Sequence, residues 1–75
     1  MELKATHGFQ EVFDHARAEK KRVTVHLSTG ASMNGYVGSA GNHHIVLKAL
    51  SQRDFFDAMI DLGQIAAVEV QTRTA

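Results

Sequence analysis

The sequence predicts a mainly β fold: one N-terminal α-helix, then five short, strongly bent antiparallel strands that form a small barrel. Three observations carry this expectation. From Arg22 to Leu27, apolar Val23, Val25 and Leu27 alternate with polar residues, the period of a half-buried strand. A second strand-like stretch, with Met33, Gly35 and Val37 on one face, is interrupted by Gly35 and Gly38, and glycine inside a strand marks a bend or a close backbone approach. Turn chemistry at Thr29-Gly30 and Gly41-Asn42 separates these stretches from each other and from Ile45-Val46-Leu47 at hairpin spacing.

The elements follow in order. Residues 1–6 read as a tail. Over residues 7–21, Phe9, Val12, Phe13 and Ala16 fall at i, i+3, i+4 and i+7, one face of an amphipathic helix, with Thr6 as the expected cap. Arg17, Lys20, Lys21 and Arg22 lie at its end, where positive charge complements the helix dipole. Residues 22–70 hold the strands. After the first three, residues 49–54 form a polar connection. Phe55 to Ile60 reads as the fourth strand, residues 61–64 as a tight turn and Ile65 to Val70 as the fifth strand. Residues 71–75 are a second tail, so that residues 1–75 make one domain.

Composition sets limits. A chain of 75 residues buries only about 60% of its unfolded surface, which leaves a lone domain of this size marginal. With no cysteine there is neither a disulfide nor a thiolate metal site to staple it, and oligomerisation is the remaining common remedy. The last two strands carry neither proline nor lysine to guard their edges, so their apolar residues Phe56, Ala58, Met59, Ile60, Ile65, Ala67 and Val68 are the expected self-association surface. Eight basic and eight acidic residues give zero formal charge, which argues against strong nonspecific binding of nucleic acid. The longest apolar runs fall far short of the ~20 residues of a membrane span. The N-terminal residues do not resemble a secretion signal, and the expected location is the cytoplasm.

Enzyme motifs are absent: no phosphate-binding glycine loop, triad order or zinc spacing occurs. Asp54, Asp57 and Asp61 have no nucleophile beside them in the pattern and read as the exposed side of the fourth strand. His7 and His15 lie too far apart on the helix for one metal ion. His43 and His44, adjacent in an extended segment, point to opposite faces and do not chelate together. They read as nucleic-acid stackers, as a metal or proton site repeated around a ring, or as ordinary loop residues. No enzyme activity, cofactor or metal is expected.

The strand ending in Leu27, the turn Gly30, the run Met33-x-Gly35-x-Val37 and the later Ile45-Val46-Leu47 resemble the first signature block of Sm-like proteins, and among these the Hfq family of bacterial RNA chaperones. The resemblance extends from about Phe9 to Val70. It implies an SH3-like small barrel assembling into a ring, with six copies expected and five or seven as alternatives. It also implies three RNA-binding places. On the pore side, Asn42 and His43 take the positions of a glutamine and a stacking aromatic, while Leu62-Gly63 replaces a basic Lys-His pair. On the opposite face, His26 stands at a stacking tyrosine and is joined by Gly30, Ser32 and Asn34. On the rim, Arg17, Lys20, Lys21 and Arg22 correspond to an arginine-rich segment that Ala18 interrupts. The connection before the fourth strand is about five residues longer than the family's.

Two functions follow from these residues. The first is an Sm-like ring that binds RNA weakly to moderately, as a chaperone-like regulator of RNA, without DNA specificity. The second is a structural or protein-binding ring on the same barrel that has lost RNA binding.

Overall fold

The computed structural model describes residues 2–73. Helix α1 spans Phe9–Ala18, and the strands are β1 (Arg22–Leu27), β2 (Ser32–Ala40), β3 (His44–Lys48), β4 (Ala58–Asp61) and β5 (Ile65–Val70). All five belong to one antiparallel sheet in the order β4-β3-β2-β1-β5. The fold class is the one the sequence predicts.

β4 and β5 lie at opposite edges of the sheet, yet only the 3-10 turn Leu62–Gln64 separates them in the chain. A flat five-stranded sheet would hold its edges roughly 19 Å apart, four inter-strand spacings, beyond the reach of so short a link. The sheet must therefore curl until its edges approach. The bend is set in β2. There Gly38 is an extra residue between the pairs Val37–Leu47 and Ser39–Val46, a bulge that increases local twist. At Gly35, a Cβ would stand 2.8 Å from the Lys48 carbonyl oxygen, so only glycine lets β2 pass this close to β3.

The core fills the curl. Val23, Val25, Val37, Ile45, Leu47, Leu50, Ile60 and Ile65 line it, and α1 covers one side with Val12, Phe13 and Ala16. Phe9, expected on this face, stays partly exposed and packs its ring 6.3 Å from that of Phe13.

Several boundaries differ from the sequence reading. The helix is shorter than residues 7–21 and starts after Gly8, not Thr6; extended Gly8 is the N-cap, and its N–H donates to Glu11 Oε1 at 3.4 Å. Its end is fixed by backbone geometry. Lys20 adopts the left-handed conformation (φ 56°), the Lys21 N–H donates to the Ala16 carbonyl and the Lys20 N–H to the Arg17 carbonyl. This is a Schellman cap with lysine where glycine is usual. β4 begins at Ala58 instead of Phe55, because residues 49–57 fold on themselves. The Arg53 N–H donates to Leu50 O, the Phe56 N–H to Arg53 O, and Asp57 accepts from the Ala49 N–H. Asp57 and Asp54 therefore lie in this connection, leaving Asp61 as the acid of β4. The expected tails extend to Met1 and to Thr74 and Ala75, which lie outside the described residues.

Candidate nucleic-acid interface

The sequence-predicted residues fall into three places. The first is the end of α1. Because the Schellman cap turns the chain sharply, Lys20 and Lys21 project beside Arg17 and border a depression of about 400 Å³ completed by Ala16, Tyr36 and Val37. A second depression of about 410 Å³ lies on the other side of Lys21, lined by Arg22, Gln71, Thr72 and Arg73. Lys21 Nζ donates to the Gln71 carbonyl at 2.9 Å, which ties the end of β5 to the helix end.

Arg22 behaves differently from the other three cations. It points to the outer face of β1, where Nη1 donates to Asn34 Oδ1 at 2.9 Å and Nη2 to the Ala49 carbonyl at 3.0 Å. Its guanidinium lies 4.5 Å from the centroid of the Tyr36 ring. These contacts commit Arg22 to holding the sheet surface, whereas Arg17 and Lys20 are exposed.

The second place is the outer face of β1 and β2. Alternation puts Thr24 and His26 outward on β1, opposite Asn34 and Ser32 on β2. Asn34 is spent locally: its Nδ2 donates to Thr24 Oγ1, and its carbonyl accepts from the Ser51 N–H. His26 Nε2 sits 3.1 Å from Glu69 Oε2, so a carboxylate stands at the ring that the resemblance makes a base stacker. Gly30, at φ 96°, makes the left-handed turn between the strands. Ser32 and Asn34 border a depression of about 470 Å³ whose far wall is Ser51, Gln52 and Arg53. Sequence reading missed Gln52 and Arg53. Their signal was the extra length of the connection before β4.

The third place is the corner between the β2–β3 loop and the 3-10 turn. His43 is exposed, and its carbonyl accepts from the Leu62 N–H at 2.8 Å, which brings Leu62-Gly63 against the Asn42-His43 loop. Gln10 of α1, also missed in the sequence, donates through Nε2 to the Gly41 carbonyl at 2.9 Å and lies 3.4 Å from Asn42 Oδ1. Its signal was a polar side chain in the helix's first turn that the amphipathic pattern leaves unexplained. Asp61 caps the turn by accepting from the Gly63 N–H. The corner thus presents His43, the uncharged pair Leu62-Gly63 and, beside that pair, the Asp61 carboxylate.

The edge residues divide as well. Ile60 and Ile65 bury their side chains in the barrel's own core. Met59, Phe56 and Ala67 are exposed, and Ala58 and Val68 are half-buried. Among the described residues, no strand pairs with the outer edge of β4 or of β5. No group of three His, Asp or Glu among them is placed to hold a metal ion, and no described helix is long and apolar enough to cross a membrane.

One short helix followed by a five-stranded sheet that curls through a bulged, glycine-bent β2 defines the Sm-like fold. The agreement with solved structures is close. The crystal structure of the pleiotropic translational regulator Hfq superposes with a TM-score of 0.73 over 93% of this chain and 100% of that chain, at 18% sequence identity. The fold is therefore Sm-like and close to that of Hfq. No family model matches the sequence, and no curated protein matches it.

Proposed function

We propose that this chain is an RNA-binding Sm-like protein that works as a homo-oligomeric ring in the cytoplasm. The observation that carries the RNA assignment is the concentration of positive charge at one place. Arg17, Lys20, Lys21, Arg22 and Arg73 make five of the chain's eight basic residues, and Glu19 is the one acid within residues 17–22 and 71–73. Neutral net charge then conceals a polarised surface, and phosphate neutralisation responds to the local cluster. The outer-face and corner residues His26, Gly30, Ser32, Asn34, Asn42 and His43 are secondary contacts in this reading.

The ring follows from the two free edges. β4 of one copy adds to β5 of the next, a head-to-tail contact that closes through rotation, with Phe56, Met59 and Ala67 packing across it. Six copies is the number favoured by the likeness to Hfq. Repetition matters to binding, because a weak site presented several times holds one strand with avidity.

A structural ring without RNA is the competing reading. It is favoured by the acidic corner, where Asp61 stands beside Leu62-Gly63, and by the Glu69 carboxylate at His26. A titration of labelled U-rich and A-rich single-stranded RNAs at low salt separates the two readings. Saturable binding that weakens with added salt supports the first; no binding of either RNA establishes the second.

A further inference from the structure

Tyr36 is the residue on this surface that the charge argument does not explain. It occupies β2 with its side chain outward and stays 42% exposed. The Arg22 guanidinium covers one face of its ring at 4.5 Å and is itself fixed by Asn34 Oδ1 and the Ala49 carbonyl. Its strand partners are Arg22 on β1 and Lys48 on β3. The depression it borders is lined by Arg17, Lys20 and Lys21. An aromatic ring whose orientation is set by a clamped arginine, in a depression walled by three cations and by apolar Ala16 and Val37, matches what one nucleotide of a single strand offers: a flat base joined to a phosphate.

We infer that Tyr36 is a base-stacking platform, and that the depression between the end of α1 and β2 takes one nucleotide, with its base on the Tyr36 ring and its phosphate against Arg17, Lys20 and Lys21. This rests on the RNA-binding reading above and adds to it the group that makes the cluster prefer a nucleic acid over any other polyanion. Aromatic stacking tolerates every base, so the site selects single strands, whose bases are free to leave their own stack, and not sequence. Arg22 has a positioning role. Stacked on the ring and bonded to Asn34 of β2 and to the Ala49 carbonyl just after β3, it lowers the entropy that Tyr36 loses when a base arrives.

The composition supplies a direct test. Tyr36 is the only tyrosine and the chain has no tryptophan, so emission excited beyond the phenylalanine absorption band reports on this ring alone. Hexauridylate and hexaadenylate RNA should both quench the emission saturably. A base-free abasic hexamer of the same charge should compete for the cations and leave the emission unchanged. Tyr36→Leu should weaken binding of either RNA about fivefold, the low end for one aromatic stack, with the salt dependence unaltered, and Tyr36→Phe should restore it. The inference is overturned if anisotropy of labelled RNA reports binding while wild-type tyrosine emission stays constant, or if the abasic hexamer quenches as strongly as RNA. The wild-type measurement stands even if Tyr36→Leu fails to fold. If no RNA binds at low salt, the RNA-binding reading falls and this one falls with it.

Discussion

The end of α1 and the corner at the Asn42-His43 loop occupy comparable positions. The first is packed against β2 and the second joins β2 to β3, and each is held by bonds from a distant part of the chain. At the helix end Lys21 reaches the Gln71 carbonyl, and at the corner Gln10 reaches the Gly41 carbonyl and Leu62 the His43 carbonyl. Their surfaces differ. The helix end presents Arg17, Lys20 and Lys21 around Tyr36; the corner presents a histidine, an apolar-glycine pair and the Asp61 carboxylate. The Schellman bonds at the helix end and the Leu62–His43 bond at the corner run between backbone groups, so that part of the frame does not depend on the side chains that face solvent. Under the RNA-binding reading proposed above, charge then says which of the two surfaces holds a strand.

The change that should abolish both regions together is at Gly35. A side chain there meets the Lys48 carbonyl oxygen, a backbone atom that cannot move without breaking the β2–β3 ladder. We expect Gly35→Val to yield insoluble or unfolded protein, read by circular dichroism. Gly38 is the internal control. Its Cβ would meet Cγ and Cδ of Lys48, the stem of a flexible side chain, and Gly38→Ala should cost under about 1 kcal/mol. Equal tolerance of both substitutions would contradict the close approach at Gly35.

Separating the copies should come next in size. Met59 is 71% exposed on the free edge of β4 and outside the core, so Met59→Asp tests association without disturbing the barrel. Light scattering should show wild-type protein as a ring and the variant as smaller species. RNA affinity should fall by about 10²-fold or more as avidity is lost. A monomeric wild type at micromolar concentration would refute the ring.

The direct contrast between the two regions is a pair of variants. Lys20→Ala/Lys21→Ala should weaken U-rich and A-rich RNA alike and flatten the slope of log affinity against log salt by up to about 1.4, two phosphate contacts at the single-strand value of ~0.7 each. His43→Ala should cost no more than about fivefold, and mainly for U-rich RNA. If His43→Ala is the more damaging change, the corner grips RNA in spite of Asp61 and the ranking of the two regions is reversed.

The sequence and structure agree best where the signal is periodic. Val23 and Val25, the glycines of β2 and Ile45 with Leu47 placed three strands, because one face of each had to be buried. Apolar content misled where it lacked a period. Phe55 and Phe56 looked like the start of a strand, and they stand in a self-bonded connection with Phe55 fully exposed. Candidate site residues could be named from the sequence, but their contacts could not. Nothing in the neighbourhood of Arg22 in the sequence announces Asn34, Ala49 and Tyr36 as its partners, since these arrive through strand pairing and through a loop. The role of Tyr36 was hidden for the same reason: its cations come from the helix end, and only the fold brings the two together.

The smallest expected effect concerns how the helix end is held, and it separates stability from binding at one residue. Lys20 occupies the left-handed position of the Schellman cap at φ 56°, where an L side chain costs roughly 1–2 kcal/mol relative to glycine. Glycine gives back part of that gain through the greater freedom of its unfolded chain. Lys20→Gly should therefore stabilise the fold by about 0.5–1 kcal/mol, which at this size raises the melting temperature by roughly 2–8 °C. It also removes one cation from the depression beside Tyr36, so RNA affinity should fall and the salt slope should lose up to about 0.7. Under the RNA-binding reading, the strained lysine is retained because the ordinary cap residue has no charge to offer. Lys20→Asn sharpens the test, because asparagine tolerates the left-handed conformation and is also uncharged. It should match Lys20→Gly in binding while gaining less stability. If Lys20→Gly melts higher and binds RNA as wild type does, the strain at the helix end has no connection with RNA, and Arg17 and Lys21 alone supply the phosphate contacts there.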